Sequence, residues 1–169
     1  YLLHECEDAP VGLYVRSRTP MDELWKPCRR IAVVGTRDIT PYGREWCVRT
    51  VAGLSRSKEK PVIVSGLALG TDFCAHKAAL ESGLATIGVM ATGPETVYPH
   101  RHREFAERLC ETPGCALVTD YPPGTAPLAV HFLRRNRIIA GLSDSTILIE
   151  SKIKGGGMMT CRLAFSYSR

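Results

Sequence analysis

The residues best suited to chemistry in this chain are glycines, hydroxyls and arginines gathered into short turns. Gly35-Thr36-Arg37, Ser65-Gly66-Leu67-Ala68 with Gly70, Ala91-Thr92-Gly93, Asp120-Tyr121-Pro122-Pro123-Gly124, and Gly155-Gly156-Gly157 after Glu150-Ser151 set small residues beside polar ones. Small residues expose backbone N–H groups, and a helix that starts just beyond such a turn adds the positive end of its dipole. Glycines close ordinary turns too, but hydroxyls and an arginine accompany these, which points to phosphate. The segment Arg134-Arg135-Asn136-Arg137 adds guanidinium forks, each able to give two parallel hydrogen bonds to one anion. A basic cluster is often only a solvated face. Here IIAGLS follows it as a buried helical face, which fixes the cluster near the rim.

Enzymatic signatures are missing. There is no GxxxxGK[ST] phosphate loop, and GTRDIT stands where a dinucleotide fold carries GxGxxG. Glu150 and Asp72 are the carboxylates nearest the turns, with no matched acid and base between them. Ser65, His76 and Asp72 lack the GxSxG elbow of a hydrolase. Asp72 and His76 lie one helical turn apart, so a local helix pair is expected, with Asp72 opening its helix and bonding backbone donors. The seven cysteines include no CxxC and no metal spacing, so reduced core thiols are expected. The reading is a binding protein, not an enzyme, with no catalytic residue, metal or cofactor.

These turns need a scaffold. Five apolar, β-branched runs at 31–35, 61–66, 85–91, 115–121 and 145–151 alternate with helical stretches at 41–54, 73–82, 100–111, 134–143 and 155–168. Such runs suit central parallel strands joined by right-handed crossovers. The fold class is α/β, a Rossmann-like three-layer α/β/α with a mainly parallel sheet of at least five strands. Ligands of such sheets bind beyond the C-terminal strand ends, where the turns above fall. The helix at 100–111 reads as polar and largely exposed, and 122–132 as a proline-rich loop. Residues 31–169 form the core domain, and 1–30 an N-terminal extension in which APVGLYVRS is an extra short strand.

The chain has 169 residues and a net charge of +5, which permits an anionic partner without demanding one. With 44% hydrophobic and 23% charged residues it reads as an ordinary globular protein. No apolar run reaches the roughly 20 residues of a membrane span, and the N-terminus lacks a signal pattern, so a cytoplasmic location is expected. The absence of an initiator Met makes a piece of a longer chain the expectation.

GTRDITPYG, VSGLALGTDFCAHKAAL, TGPETVYPH, DYPPGT, HFLRRNRIIAGLSD and ESKIKGGGMMTCRLA, in this order, resemble the DprA/Smf family of DNA-processing proteins over residues 10–169. The resemblance implies a Rossmann-like domain that binds single-stranded DNA and hands it to RecA during natural transformation. It implies a pocket made of Gly35, Thr36 and Arg37, of Ser65, Gly66, Leu67 and Gly70, and of Arg135, Asn136 and Arg137. The glycine turn with Gly156 and Thr160 belongs to it as well. It also implies a homodimer, resting in part on a further strand beyond the position of Arg169. Three positions depart from the family pattern: Leu69 replaces a common arginine, Leu133 replaces a proline, and the triple glycine replaces SGS or SGA. The alternatives are a nucleotide sensor using the same rim, or a phosphoribohydrolase-like enzyme of the wider superfamily.

Overall fold

The computed structural model describes residues 2–26 and 28–169. Its strands are β1 (Tyr14–Arg16), β2 (Arg30–Val34), β3 (Val62–Gly66), β4 (Thr86–Val89), β5 (Ala116–Thr119) and β6 (Ser145–Leu148). Its helices are α1 (Met21–Leu24), α2 (Pro41–Leu54), α3 (Thr71–Glu81), α4 (Arg103–Glu111), α5 (Ala129–Gly141) and α6 (Gly156–Ser166). The strands form one sheet in the order β1-β5-β4-β3-β2-β6. β1 runs antiparallel to β5, and all other pairs are parallel. The expected Rossmann-like α/β/α architecture is therefore present, with six strands among the described residues.

Alternation along each strand feeds two cores. Ala32, Val34, Val64, Ile87, Val89 and Val118 face Ile138, Ile139 and Leu142 of α5 on one side. Val33 and Ile63 face Cys47 and Val51 of α2 and Ala75 and Ala78 of α3 on the other. Leu67 and Leu117 extend that second core toward Ala106 and Leu109 of α4. Near-continuous apolar strands follow from burial on both faces. Cys47, Cys74, Cys110 and Cys115 are buried, reduced thiols, as expected.

Two expectations need correction. α5 begins at Ala129, five residues before the expected start. Pro127 is the last helix breaker, and its predecessor is the residue that proline keeps extended. Nothing between Ala129 and Arg134 opposes a helix. The 100–111 stretch is less exposed than its polarity suggests. A 3-10 turn (His100–His102) precedes α4, and His102, Ala106, Leu109 and Cys110 are buried. His102 Nδ1 lies 2.8 Å from the Leu67 carbonyl, tying this helix to the end of β3.

Thr40 caps α2, accepting from the Gly43 N–H at 3.0 Å, with Pro41 in the first turn. α3 starts at Gly70, whose φ of 74° suits glycine. A side chain there would also strike the carbonyls of Thr36 and Arg37.

Candidate nucleic-acid interface

Sequential strands step from β2 to β5 in one direction, and the chain then returns to place β6 on the far side of β2. The reversal opens a crevice above the C-terminal ends of β2 and β6. A cavity of about 500 Å³ lies there. It is lined by the turn after β2, the N-terminal half of α5, and the segment from Glu150 to the start of α6.

The β2 turn is held from both sides. The Thr36 N–H donates to the Glu150 carbonyl at 2.6 Å, and the Thr36 carbonyl accepts from the Thr71 N–H and hydroxyl. A Cβ on Gly35 would lie 2.8 Å from the Glu150 carbonyl and collide with Thr71. The Thr36 hydroxyl accepts from the Asp38 N–H at 3.2 Å, which leaves its proton available to a ligand. Arg37 is exposed, with its guanidinium 5.3 Å from the centre of the Phe132 ring. Phe132 in turn packs at 5.3 Å against Tyr98.

On the opposite wall, Gly155 caps α6 with no side chain, so its first-turn amides meet no capping oxygen. A Cβ on Gly157 would lie 2.8 Å from the Cα of Gly35, so glycine lets α6 start directly against β2. Gly156 has open space at the same point. Buried Thr160 donates its hydroxyl back to the Gly156 carbonyl at 3.1 Å. Glu150 faces away from any acid–base task. Its Oε2 accepts from the Thr40 N–H (3.0 Å) and hydroxyl (3.1 Å), fixing the start of α2.

The third wall is one stripe of α5. Phe132, Arg135, Asn136 and Ile139 recur at helical spacing and all line the cavity. Arg135 is 5% exposed. Its Nη1 donates to the Val89 carbonyl at 2.6 Å, and its Nε donates to Asn136 Oδ1 at 3.3 Å. Buried Asp72 faces it across Gly66, where any Cβ would collide with both side chains. Burial pushes the Asp72 carboxyl up, opposed first by the Arg135 charge and then by its polar neighbours Ser65 and the Ala68 N–H. Burial likewise pulls the Arg135 guanidinium down, and Asp72 opposes that. The amide nitrogen of Asn136 has no hydrogen-bond partner among the described residues.

The expected site residues thus divide. Gly35, Thr36, Arg37, Arg135, Asn136, Gly156 and Thr160 line the cavity. Ser65, Gly66, Leu67 and Gly70 stand behind it. Ser65 donates to the Val33 carbonyl at 2.6 Å, and Leu67 belongs to the core. The Gly66 carbonyl accepts from His76 Nε2 at 2.5 Å. His76 therefore does not pair with Asp72 as expected. Its other nitrogen meets the Thr86 hydroxyl at 2.7 Å, because the buried ring points between β3 and β4. Asp72 does open its helix and bond a backbone donor, as expected. Arg137 points elsewhere: its Nη2 donates to Asp120 at 2.5 Å, on the flank of α5 away from the cavity. Phe132 and Lys152 line the cavity without having been singled out. A helix begun at Ala129 would have revealed Phe132, because it then shares a stripe with Arg135 and Asn136.

The chain matches the family model described as DNA recombination-mediator protein A over residues 1–169. It is 38% identical over 167 residues to DNA processing protein DprA of Streptococcus pneumoniae, covering 99% of this chain and 56% of that protein. The X-ray structure of that species' DprA superposes with a TM-score of 0.90 at 37% identity, over 100% of this chain and 56% of the other. DNA processing protein A from Helicobacter pylori, whose structure concerns its single-stranded DNA binding mode, superposes with a TM-score of 0.85. There the identity is 29%, over 99% of this chain and 73% of the other. The chain spans about half the length of the curated relatives it matches.

Proposed function

The chain belongs to the DNA recombination-mediator protein A family, and from that premise we propose that it binds single-stranded DNA without catalysing a reaction. The observation that carries the reading is the cavity at the reversal of strand order, where Arg37 and Lys152 outnumber Asp38, the unengaged carboxylate of its lining. Arg37, the Thr36 hydroxyl and the uncapped start of α6 present positive groups to one space. Glu150 and Asp72, the carboxylates that would serve an enzyme, are engaged by Thr40 and by Arg135 with Ala68. Phe132 beneath Arg37 adds a face on which a base can stack. Gly35, Thr36, Arg37, Asn136, Gly156 and Thr160 are the residues proposed to meet the strand. Arg135 and the Ser65–Gly70 turn hold them in place. The family resemblance extends the proposal to delivery of the strand to RecA, to a homodimer and to a cytoplasmic setting. Residues 31–169 are proposed as the DNA-binding core and 1–30 as its extension.

The test is a fluorescence-anisotropy titration with oligo-dT against a panel of mononucleotides at several salt concentrations. Each phosphate neutralised on a single strand adds about 0.7 to the log–log slope, so a handful of contacts gives roughly −2 to −4. Mononucleotides are expected to bind at least about a hundredfold more weakly, a gap of roughly 2.7 kcal/mol. A slope near zero would remove the phosphate interface. Sustained base release from AMP or CMP that Glu150→Gln abolishes would replace binding with phosphoribohydrolase chemistry.

A further inference from the structure

A second cavity of about 880 Å³ opens between α5 and α6, beside the loop at residues 8–12. Leu133 lines both cavities and forms the wall between them. We propose that this groove is a second nucleotide subsite, and that a DNA strand leaving the first cavity crosses Leu133 to place a later phosphate here. The inference rests on the reading of the first cavity as a single-stranded DNA site.

The charges in the groove favour an anion. Arg134 of α5 and Arg162 of α6 are exposed and have no acidic partner among the described residues. The two acids present are already engaged. Asp120 accepts from Arg137, and Asp8 accepts from the Tyr167 hydroxyl at 2.5 Å while lying 3.9 Å from Arg137 Nε. Arg137 Nη1 and Asp120 Oδ1 are both buried without a hydrogen-bond partner among the described residues, so this pair balances itself and the open charge of the groove is that of Arg134 and Arg162. Met159 and Leu163 supply apolar surface at the same place, which suits a base whose phosphate lies between arginines.

The geometry of α5 joins the two subsites. Phe132, Arg135 and Asn136 face the first cavity, whereas Arg134 and Arg137, one turn apart, face the second. A strand laid across this helix therefore meets both. A free nucleotide would satisfy the same arginines, so strand length is the variable that separates the two sources.

The experiment measures binding of dTMP, dT2, dT6 and dT12 to the wild type, Arg162→Ala, Arg134→Ala/Arg162→Ala and Arg37→Ala. Arg162→Ala is expected to weaken dT12 by roughly three- to tenfold and to lower its salt slope by about 0.7, one phosphate contact. It should leave dT2 unchanged, and the double variant should lose more on dT12 alone. Arg162→Lys should restore the slope. Arg37→Ala should weaken every strand. No loss with the double variant at any length would overturn the second subsite and leave the first intact. Equal loss at all lengths, or dTMP binding that needs Arg162 but not Arg37, would overturn the continuous path. Failure of the wild type to bind dT12 would overturn both readings.

Discussion

Arg37 and Arg135 look equivalent as side chains beside one cavity, but their surroundings assign them different work. Arg37 is exposed and leans on the Phe132 ring, so truncating it removes a donor without opening the fold. Arg37→Ala is expected to weaken DNA binding roughly ten- to a hundredfold, the value of about 1.5–3 kcal/mol for a charged hydrogen bond. Its melting temperature should match the wild type in a thermal scan. Arg135 bonds the Val89 carbonyl and balances buried Asp72. Removing it leaves a buried carboxylate without its counter-charge, at a cost of about 3–5 kcal/mol. Arg135→Ala should therefore lose stability first, measured by denaturant titration, and Arg135→Ala/Asp72→Asn should recover part of the loss. The sequence expectation that Arg135, like Arg37, belongs to the rim pocket holds no place for this burial.

Glycine shows at the scale of an element how a helix is seated against a strand. Gly156 and Gly157 are neighbours in the first turn of α6, yet only Gly157 touches β2, through the Cα of Gly35. Gly157→Ala is expected to push α6 away from β2, lowering both the melting temperature and DNA affinity. Gly156→Ala meets nothing within 4 Å, so it should preserve the melting temperature. Any loss of affinity it causes then reports crowding at the α6 start. A Gly157→Ala variant with wild-type stability would refute the close-approach argument. The positions of β2 to β5 were legible because both their faces are buried, which makes the apolar runs nearly continuous. The β2 and α6 turns were legible from their small residues. The α5 start was not, because proline density suggested a loop through Phe132. The buried state of Arg135 was not legible either, since its partners, Val89 and Asp72, are far away in sequence. Nor was the second tier formed by Ser65, Gly66 and Leu67: a small-residue turn reads the same whether it lines a cavity or supports one.

For the whole molecule, the reversal of strand order matters more than the modest net charge of +5. It gathers residues 35–37, 132–139 and 150–160 into one crevice, although they are distant in the chain. Among the described residues no helix is long and apolar enough to cross a membrane. The ring of His76, wedged between the Gly66 carbonyl and the Thr86 hydroxyl, has a further consequence for how the fold responds to acid. A carbonyl only accepts, so Nε2 carries a proton, and burial of the ring disfavours a second one on Nδ1. Burial pulls its pKa down to about 4, against the hydrogen bond to Gly66, which pulls it up. An unfolded chain takes up this proton near pH 6.5, so the unfolded state gains protons first. The stability contributed by neutral His76 is complete above about pH 6.5 and drains away as the pH falls toward about 4. The steepest loss for one proton is roughly 1.4 kcal/mol per pH unit. Burial of His102 acts in the same direction. The raised carboxyl of Asp72 acts in the opposite one, because there the folded state gains the proton first. Denaturant midpoints measured from pH 7 to pH 4 should therefore fall, more steeply in Asp72→Asn and less steeply in His76→Gln. An unchanged slope in His76→Gln would show that this imidazole is not what acid reaches first.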